Sequence, residues 1–270
     1  MVAQQIIDPR SLTPDPRSLI ITFICITILS IPFVHAQHQN NPGSNHGNKF
    51  EQLGTLLSDP NVYRTASGAP GHQYWQQKAD YVIDVEVDDQ NQRVIGSETI
   101  TYTNNSPDPL SYLWIQLDEN EHKADAENKK FDESSLSEQM TTNQLQSLIG
   151  GDNDLGVKIQ KVADGAGKPL TYTINHTMMR VELPAVLKPG AKFVLQIEWQ
   201  YNISDRMVEG GRGGYEYFAE DGNYLYTITQ WYPRMAVYSD FQGWQNKQFT
   251  GRGEFALVFG DFKVNITVPA

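Results

Sequence analysis

Residues Lys78–Asp88 read K-A-D-Y-V-I-D-V-E-V-D, and this stretch decides the fold class. Apolar side chains occupy every second position from Tyr81 to Val87, with Asp84 and Glu86 between them. A period of two is typical of a β-strand that buries one face and exposes the other. The stretch therefore predicts a half-buried strand with an acidic outer face.

The residues that follow predict a return strand. Asp88–Asn91 has the composition of a hairpin loop, and Gln92–Thr103 resumes a strand-like pattern. Gly96 interrupts this second run, and we interpret it as a β-bulge. The two runs together predict the start of an antiparallel meander.

The strand pattern continues along the chain. Further strands are predicted at Leu110–Leu117, Val157–Val162, Leu170–Ile174, Met178–Leu183, Phe193–Tyr201, Glu254–Phe259 and Phe262–Val268. One helix is predicted among these strands. Ser135 and Glu138 form a capping box at its start, and Gly150 ends its stripe of apolar side chains. About ten strands without β-α-β alternation indicate a mostly β fold, either a sandwich or a curved antiparallel sheet.

The N-terminus predicts export. Leu19–Val34 is a run of 16 mostly apolar residues that follows two arginines and ends in a small-residue cleavage pattern at Ala36. This layout is typical of a secretory signal peptide over residues 1–36, with an uncleaved membrane anchor as the alternative. Cleavage would remove Cys25, the single cysteine, and leave a periplasmic or secreted chain without disulfides.

Residues 37–72 are interpreted as a polar linker with one short helix over Phe50–Tyr63, and residues 73–270 as one β domain. With 39% apolar and 20% charged residues, the chain has a globular composition. Its net charge of −11 argues against a nucleic-acid partner, because phosphates require a basic face.

Motifs of catalysis and metal binding are absent from the sequence, which contains no H-E-x-x-H and no G-x-S-x-G. Asp118–Lys130 is rich in charge around His122, and we interpret it as a solvated face and not as a metal site. Gly210–Gly214 lacks the Lys and Ser or Thr that complete a phosphate loop, so we interpret it as a flexible loop. These residues alone identify no enzyme.

Tyr224–Trp244 is the most informative stretch for function, and it reads Y-L-Y-T-I-T-Q-W-Y-P-R-M-A-V-Y-S-D-F-Q-G-W. Its aromatic rings stand beside Gln230, Arg234 and Asp240. Amphipathic rings with a few directed polar groups suit a concave binding surface, or else a buried strand followed by an aromatic-lined loop.

This stretch and two others resemble the N-terminal domain of the aminopeptidase N-like zinc peptidases. Tyr74–Gly96 is similar to the first hairpin of that domain, and Leu187–Tyr201 is similar to its turn and following strand. Thr229–Arg234, T-Q-W-Y-P-R, stands in the place of the family's T-Q segment and looks most like the exported bacterial branch. The resemblance covers roughly residues 73–270.

The resemblance implies a curved, saddle-like β sandwich packed against a zinc-binding catalytic domain that follows it in the family. By position, Gln230 would bind the free amino group of a peptide substrate, and Tyr232 and Met235 would line the same pocket. A neutral amide pairs less strongly with an ammonium than a carboxylate does. The zinc ligands would lie outside these residues, so the chain is expected to be an incomplete piece of an exported aminopeptidase, inactive alone.

Two other functions stay open beside this one. The first is a non-catalytic β-sandwich module that binds carbohydrate or protein through Trp231, Tyr232 and Trp244. The second is a degenerate family member whose sandwich survives as an interaction domain. The coding sequence after residue 270 would discriminate among the three.

Overall fold

The computed structural model describes residues 60–130, 139, 141–142, 154–210, 212–251 and 256–269. All of them belong to one of the two compact units of the chain, residues 41–270. The predicted signal peptide, most of the helix from Ser135 and most of the helix over Phe50–Tyr63 lie outside the described residues. Residues 60–63 of the latter are not helical.

The secondary structure is mostly β, as the sequence predicts. The larger strands are β1 Lys78–Asp88, β2 Arg93–Thr103, β3 Leu110–Gln116, β4 Lys158–Asp164, β5 Tyr172–Asn175, β6 Met178–Leu187, β7 Lys192–Asn202, β8 Gly214–Phe218, β9 Asn223–Thr227 and β13 Phe262–Thr267. Three two-residue strands are β10 Arg234–Met235, β11 Tyr238–Ser239 and β12 Gly243–Trp244. The short helices are a 3-10 turn at Asp118–His122, α1 Glu127–Lys130 and α2 Arg206–Glu209.

Two sheets form a sandwich-like domain. The first has five strands in the order β13-β1-β2-β7-β4, and the second has four in the order β10-β3-β6-β5. Apolar side chains on the inner faces of both sheets form one continuous core, in which Ile83, Ile197, Leu113 and Met179 are fully buried. Every second side chain of Lys78–Asp88 is therefore buried in this core, as the period of two in the sequence predicts. The predicted β-sandwich fold is confirmed.

Gly96 does not form the predicted bulge. The pairing of β2 with β1 and β7 runs without a register shift at Gly96, which lies between Val85 and Trp199. A Cβ atom at this position would be 2.4 Å from Cζ2 of the buried Trp199 indole. Glycine is therefore required because the ring packs directly on the backbone of β2.

The edge strand β13 departs from an all-antiparallel sheet, because it pairs with β1 in parallel. Phe262 stacks on Tyr81 with ring centroids 4.6 Å apart, so Phe262, Val264 and Ile266 continue the inward face of β1. All six residues of β13 are nevertheless exposed, because the second sheet ends at β10 and does not cover them. The strand predicted at Glu254–Phe259 is not formed in its described part, where Phe259 makes one isolated bridge to Lys78.

The hairpin β8–β9 is a separate two-stranded sheet outside both layers. It lies immediately before residues 228–230, the segment that leads into β10. Among the described residues no helix is long and apolar enough to cross a membrane.

Candidate functional site

Gln230 lies in a bend between β9 and β10, with a half-buried side chain. Its φ is +48°, in the left-handed region that side chains with a Cβ disfavour by about 1–2 kcal/mol. The two other described non-glycine residues with positive φ, Gln92 and His176, lie in hairpin turns where this conformation is common. Gln230 is in no such turn, and backbone strain of this kind concentrates at functional positions.

Tyr232 and Met235 occupy different environments on either side of Pro233. Tyr232 is half-buried, and its ring contacts Trp231, Tyr81 and Phe262 at centroid distances of 4.9, 5.6 and 6.1 Å. Met235 is only 1% exposed and belongs to the core, where its N–H donates to the Tyr81 hydroxyl at 2.9 Å. Tyr232 is thus partly accessible, whereas Met235 is a core residue.

A buried ion pair fixes the chain just after Gln230. Nη2 of Arg234 lies 2.5 Å from Oδ2 of Asp118, and both side chains are almost completely buried. Arg234 is on β10 and Asp118 begins the 3-10 turn after β3, so the pair extends the two-residue backbone pairing of these strands. A buried pair of this type is costly to break, because either partner alone would be a desolvated charge.

The first part of the acidic segment Asp118–Lys130 is not the solvated face that its composition predicts, whereas residues 124 and 125 are exposed. Asp118 and Asn120 are buried; Nδ2 of Asn120 donates to the His176 carbonyl at 2.6 Å, and its Oδ1 accepts from Val157 N at 2.8 Å. Burial, together with the nearby Glu121 and Asp118 carboxylates, raises the pKa of Glu119 to about 8. Burial and Asp118 raise the pKa of Glu121 to about 7, against the opposing effect of Arg212.

Two further polar side chains are buried in the sandwich interior. Glu98 is 3% exposed, lies between Ile83 and Ile197 in the register of the first sheet, and neither carboxylate oxygen has a hydrogen-bond partner. Burial raises its pKa well above the usual range. Gln116, opposite Arg234, is also buried with both amide atoms unpartnered. We name Glu98, Gln116, Asp118 and Arg234 the polar cluster.

The polar cluster was missed in the sequence, although one signal for it was present. Glu98 falls on the inward set of the alternation in β2, which also includes Val94, Ile100 and Tyr102. Tyr232 lies within electrostatic range of Glu98, Asp118 and Arg234, and burial is the largest cause of its raised pKa. The half-buried ring of Tyr232 therefore lies next to the cluster.

A zinc ion does not fit the described residues. No group of three or more His, Cys, Asp and Glu side chains in this part of the chain is arranged to hold a metal. In the acidic turn, Asp118 is already paired with Arg234. No chemical step through a metal is therefore derived from these residues.

Asp240 and Trp244 belong to a second region, away from Gln230 in the chain. Nε of Arg64 donates to both carboxylate oxygens of Asp240, at 2.9 and 2.7 Å, and both residues line a groove of about 290 Å³. Trp244 packs with Tyr102, Tyr112 and Tyr238 at centroid distances of 6.2, 6.4 and 5.1 Å. Trp244 is thus in a different aromatic group from Trp231 and Tyr232.

No protein-family model and no curated protein matches the chain. Among solved structures, a mutant of a two-domain M1 zinc metallopeptidase bound to L-arginine is similar with a TM-score of 0.37 and 15% identity, over 75% of this chain and 35% of that one. The M1 zinc metallopeptidase from Deinococcus radiodurans gives 0.36 and 15%, over 74% of this chain and 34% of its own. The chain spans about a third of the length of these peptidases.

Proposed function

We propose that this chain is the β domain of an exported zinc-dependent aminopeptidase, which removes N-terminal residues from peptides. Gln230 contributes the wall that binds the amino terminus of the substrate, and Tyr232 forms the adjoining surface. The observation that carries the proposal is the left-handed backbone of Gln230 inside the T-Q-W-Y-P-R segment. A strained, half-buried amide four residues before a buried ion pair is a suitable group for orienting an ammonium.

The chemistry of the amide fits this role. Its carbonyl oxygen can accept a hydrogen bond from the substrate's ammonium group, whereas its NH₂ cannot. The Arg234–Asp118 pair four residues away fixes the segment, and Met235 supports it from the core. In this proposal Met235 supports the segment from the core and does not touch the substrate.

The uncovered face of β13 supports a second part of the proposal, a following zinc-binding domain that packs on this one. Phe262, Val264 and Ile266 extend the core face beyond the second sheet, and Ile266 is 62% exposed. A row of exposed apolar side chains continuous with a core is typical of a surface that another domain covers. The zinc ion and its ligands belong to that domain, where the metal would activate the attacking water.

Export is also part of the proposal and rests on the sequence of residues 1–36. N-terminal sequencing of the protein from the medium or periplasm should begin after Ala36. An intact N-terminus in the membrane fraction would instead support the uncleaved anchor.

The experiment is kinetic and uses the full-length gene product with aminoacyl-anilides. Activity should be lost to a chelator and restored by zinc. Gln230→Gly keeps the backbone conformation and removes the amide, so we expect KM to rise about tenfold with kcat within about twofold, since a hydrogen bond to a charged group is lost. Gln230→Glu should lower KM, because a carboxylate pairs with the ammonium as a full charge.

His176→Gly is the matched control, because it relieves the same backbone conformation in a hairpin turn. It should leave both kinetic constants unchanged. An unchanged KM in Gln230→Gly would remove Gln230 from the site, and a full-length protein that hydrolyses no aminoacyl-anilide would reject the proposed function.

A further inference from the structure

The β8–β9 hairpin carries four tyrosines on one face. In its antiparallel register Tyr215 is opposite Tyr226, and Tyr217 is opposite Tyr224. Cross-strand partners and residues two apart on one strand share a face, so all four rings lie on the same side. We name these four residues the tyrosine face.

The rings of the tyrosine face are in mutual contact. The ring centroid of Tyr224 lies 4.8 Å from that of Tyr217, 5.8 Å from that of Tyr215 and 6.1 Å from that of Tyr226. These separations are within the range of favourable aromatic pairs. The four rings therefore form one continuous aromatic surface.

One end of this surface is anchored and the other is open. The hydroxyl of Tyr226 donates to Oδ1 of Asp89 in the β1–β2 loop at 2.6 Å, and the N–H of Tyr215 donates to the Ser204 carbonyl at 2.9 Å. At the other end, Tyr217 is 52% exposed and Tyr224 is 38% exposed. The sandwich therefore holds the hairpin at its base and leaves the outer rings accessible.

The charge around the hairpin is strongly acidic. Residues 205–222 contain five carboxylates and two arginines. One arginine, Arg206, is paired with Glu216, whose side chain is on the face of the hairpin opposite to the tyrosine face. Nη1 of Arg206 lies 3.2 Å from Oε2 of Glu216. Glu220 and Asp221 are exposed in the turn that closes the hairpin next to Tyr217 and Tyr224.

We propose that the tyrosine face is a docking surface for an extended, lysine- and arginine-bearing peptide segment. Ring faces attract the cations of such side chains, and the exposed carboxylates of the turn attract the same cations. Residues two apart on β8 or β9 are about 7 Å apart, which matches alternate side chains of an extended peptide. Neutral sugars can also stack on tyrosines, but the acidic rim contributes nothing to their binding.

This surface is independent of the proposed catalytic role, because binding to it requires no hydrolysis. The test is fluorescence anisotropy with the full chain at low salt, using a dye-labelled twelve-residue peptide of alternating Lys or Arg and Ser. We expect saturable binding that weakens as salt is added, because screening reduces the attraction between exposed charges. The same peptide with Glu in place of each basic residue should not bind.

Four double variants locate the site. Tyr217→Ala with Tyr224→Ala should weaken binding about five- to thirtyfold, from the loss of two cation–ring contacts, whereas the Tyr→Phe pair should stay within about twofold because the rings remain. Phe218→Ala with Leu225→Ala, on the other face of the same hairpin, is the matched control and should bind like the original protein. Glu220→Gln with Asp221→Asn should weaken binding and reduce its salt dependence.

Three results would overturn the proposal. The first is equal binding of the acidic peptide or of a neutral hexasaccharide, which would assign the surface to another ligand class. The second is unchanged affinity in the tyrosine-to-alanine pair with its fold intact by circular dichroism. The third is loss of binding in the phenylalanine pair equal to that in the alanine pair, since cation–ring attraction needs no hydroxyl.

Discussion

Arg234 of the polar cluster follows the tyrosine face after a few residues of chain, but the two regions are built in opposite ways. The polar cluster places charges where water is excluded, so Arg234 and Asp118 depend on each other. The tyrosine face places aromatic rings where water is present, and its outer rings stay partly exposed. Stability should therefore be sensitive in the first region, and binding should be sensitive in the second.

The largest expected effect tests the first half of this comparison. Arg234→Met removes one charge of the buried pair and leaves the Asp118 carboxylate without its arginine partner. We expect a loss of about 3–5 kcal/mol in the free energy of unfolding, measured by denaturant titration. The double variant Arg234→Met with Asp118→Leu should recover most of this loss, because neither charge is then buried alone.

Arg180→Met is the matched control for that variant. Arg180 pairs with Glu182 at 2.8 Å, and both side chains are more than a third exposed. A surface pair of this kind contributes little, so the loss should stay below about 1 kcal/mol. Equal losses in Arg234→Met and Arg180→Met would mean that the corner around Asp118 is not a dry environment, and the contrast between the two regions would fail.

A smaller effect concerns the dependence of stability on pH. The folded-state pKa of Glu119 is raised to about 8, above the ordinary glutamate value that the unfolded chain retains. Between these two values the folded protein holds a proton that the unfolded chain has released, so stability falls as pH rises from about 5 to about 8. Glu121, with a pKa of about 7, adds to the same trend.

Glu119→Gln removes this ionisation and should reduce the loss of Tm between pH 5 and pH 8 by a few degrees, measured by differential scanning calorimetry. Glu86→Gln, on the exposed face of β1, serves as the control and should leave the pH profile unchanged. A Glu119→Gln profile identical to that of the original protein would show that Glu119 is ionised in both the folded and the unfolded chain at neutral pH.

The sequence predicts the strands well because their periodicity is the direct record of which side chains are buried. Lys78–Asp88 is predicted at the bounds that β1 has in the structure. A bulge and a close ring contact both require glycine, so the sequence alone does not distinguish them at Gly96, and the position of Trp199 decides for the ring contact. The order of the strands and the parallel pairing of β13 depend on contacts between distant segments, which a local period cannot encode.

The candidate site is predictable in part for the same reason. Gln230 was identified through a resemblance, and its positive φ is a property of the folded backbone that no composition shows. The charged neighbours of Asp118 predict a solvated face, whereas its burial depends on Arg234, more than a hundred residues away in the chain. The tyrosine face is recognisable only from the register of β8 with β9. Alternate tyrosines on one strand do not show that the partner strand places its tyrosines on the same side.

The smallest expected effect tests the second half of the comparison. Tyr217→Ala with Tyr224→Ala removes two exposed rings from the open end of the hairpin, where cross-strand aromatic pairs contribute about 0.2–1 kcal/mol. Because the base is held separately by Tyr226 and Asp89, we expect the free energy of unfolding of the whole domain to change by less than about 1 kcal/mol. Denaturant titration measures this change, and hydrogen exchange shows whether the hairpin alone opens more often. A loss as large as that of Arg234→Met would mean that the outer rings support the fold, and the surface would then be structural and not a docking site.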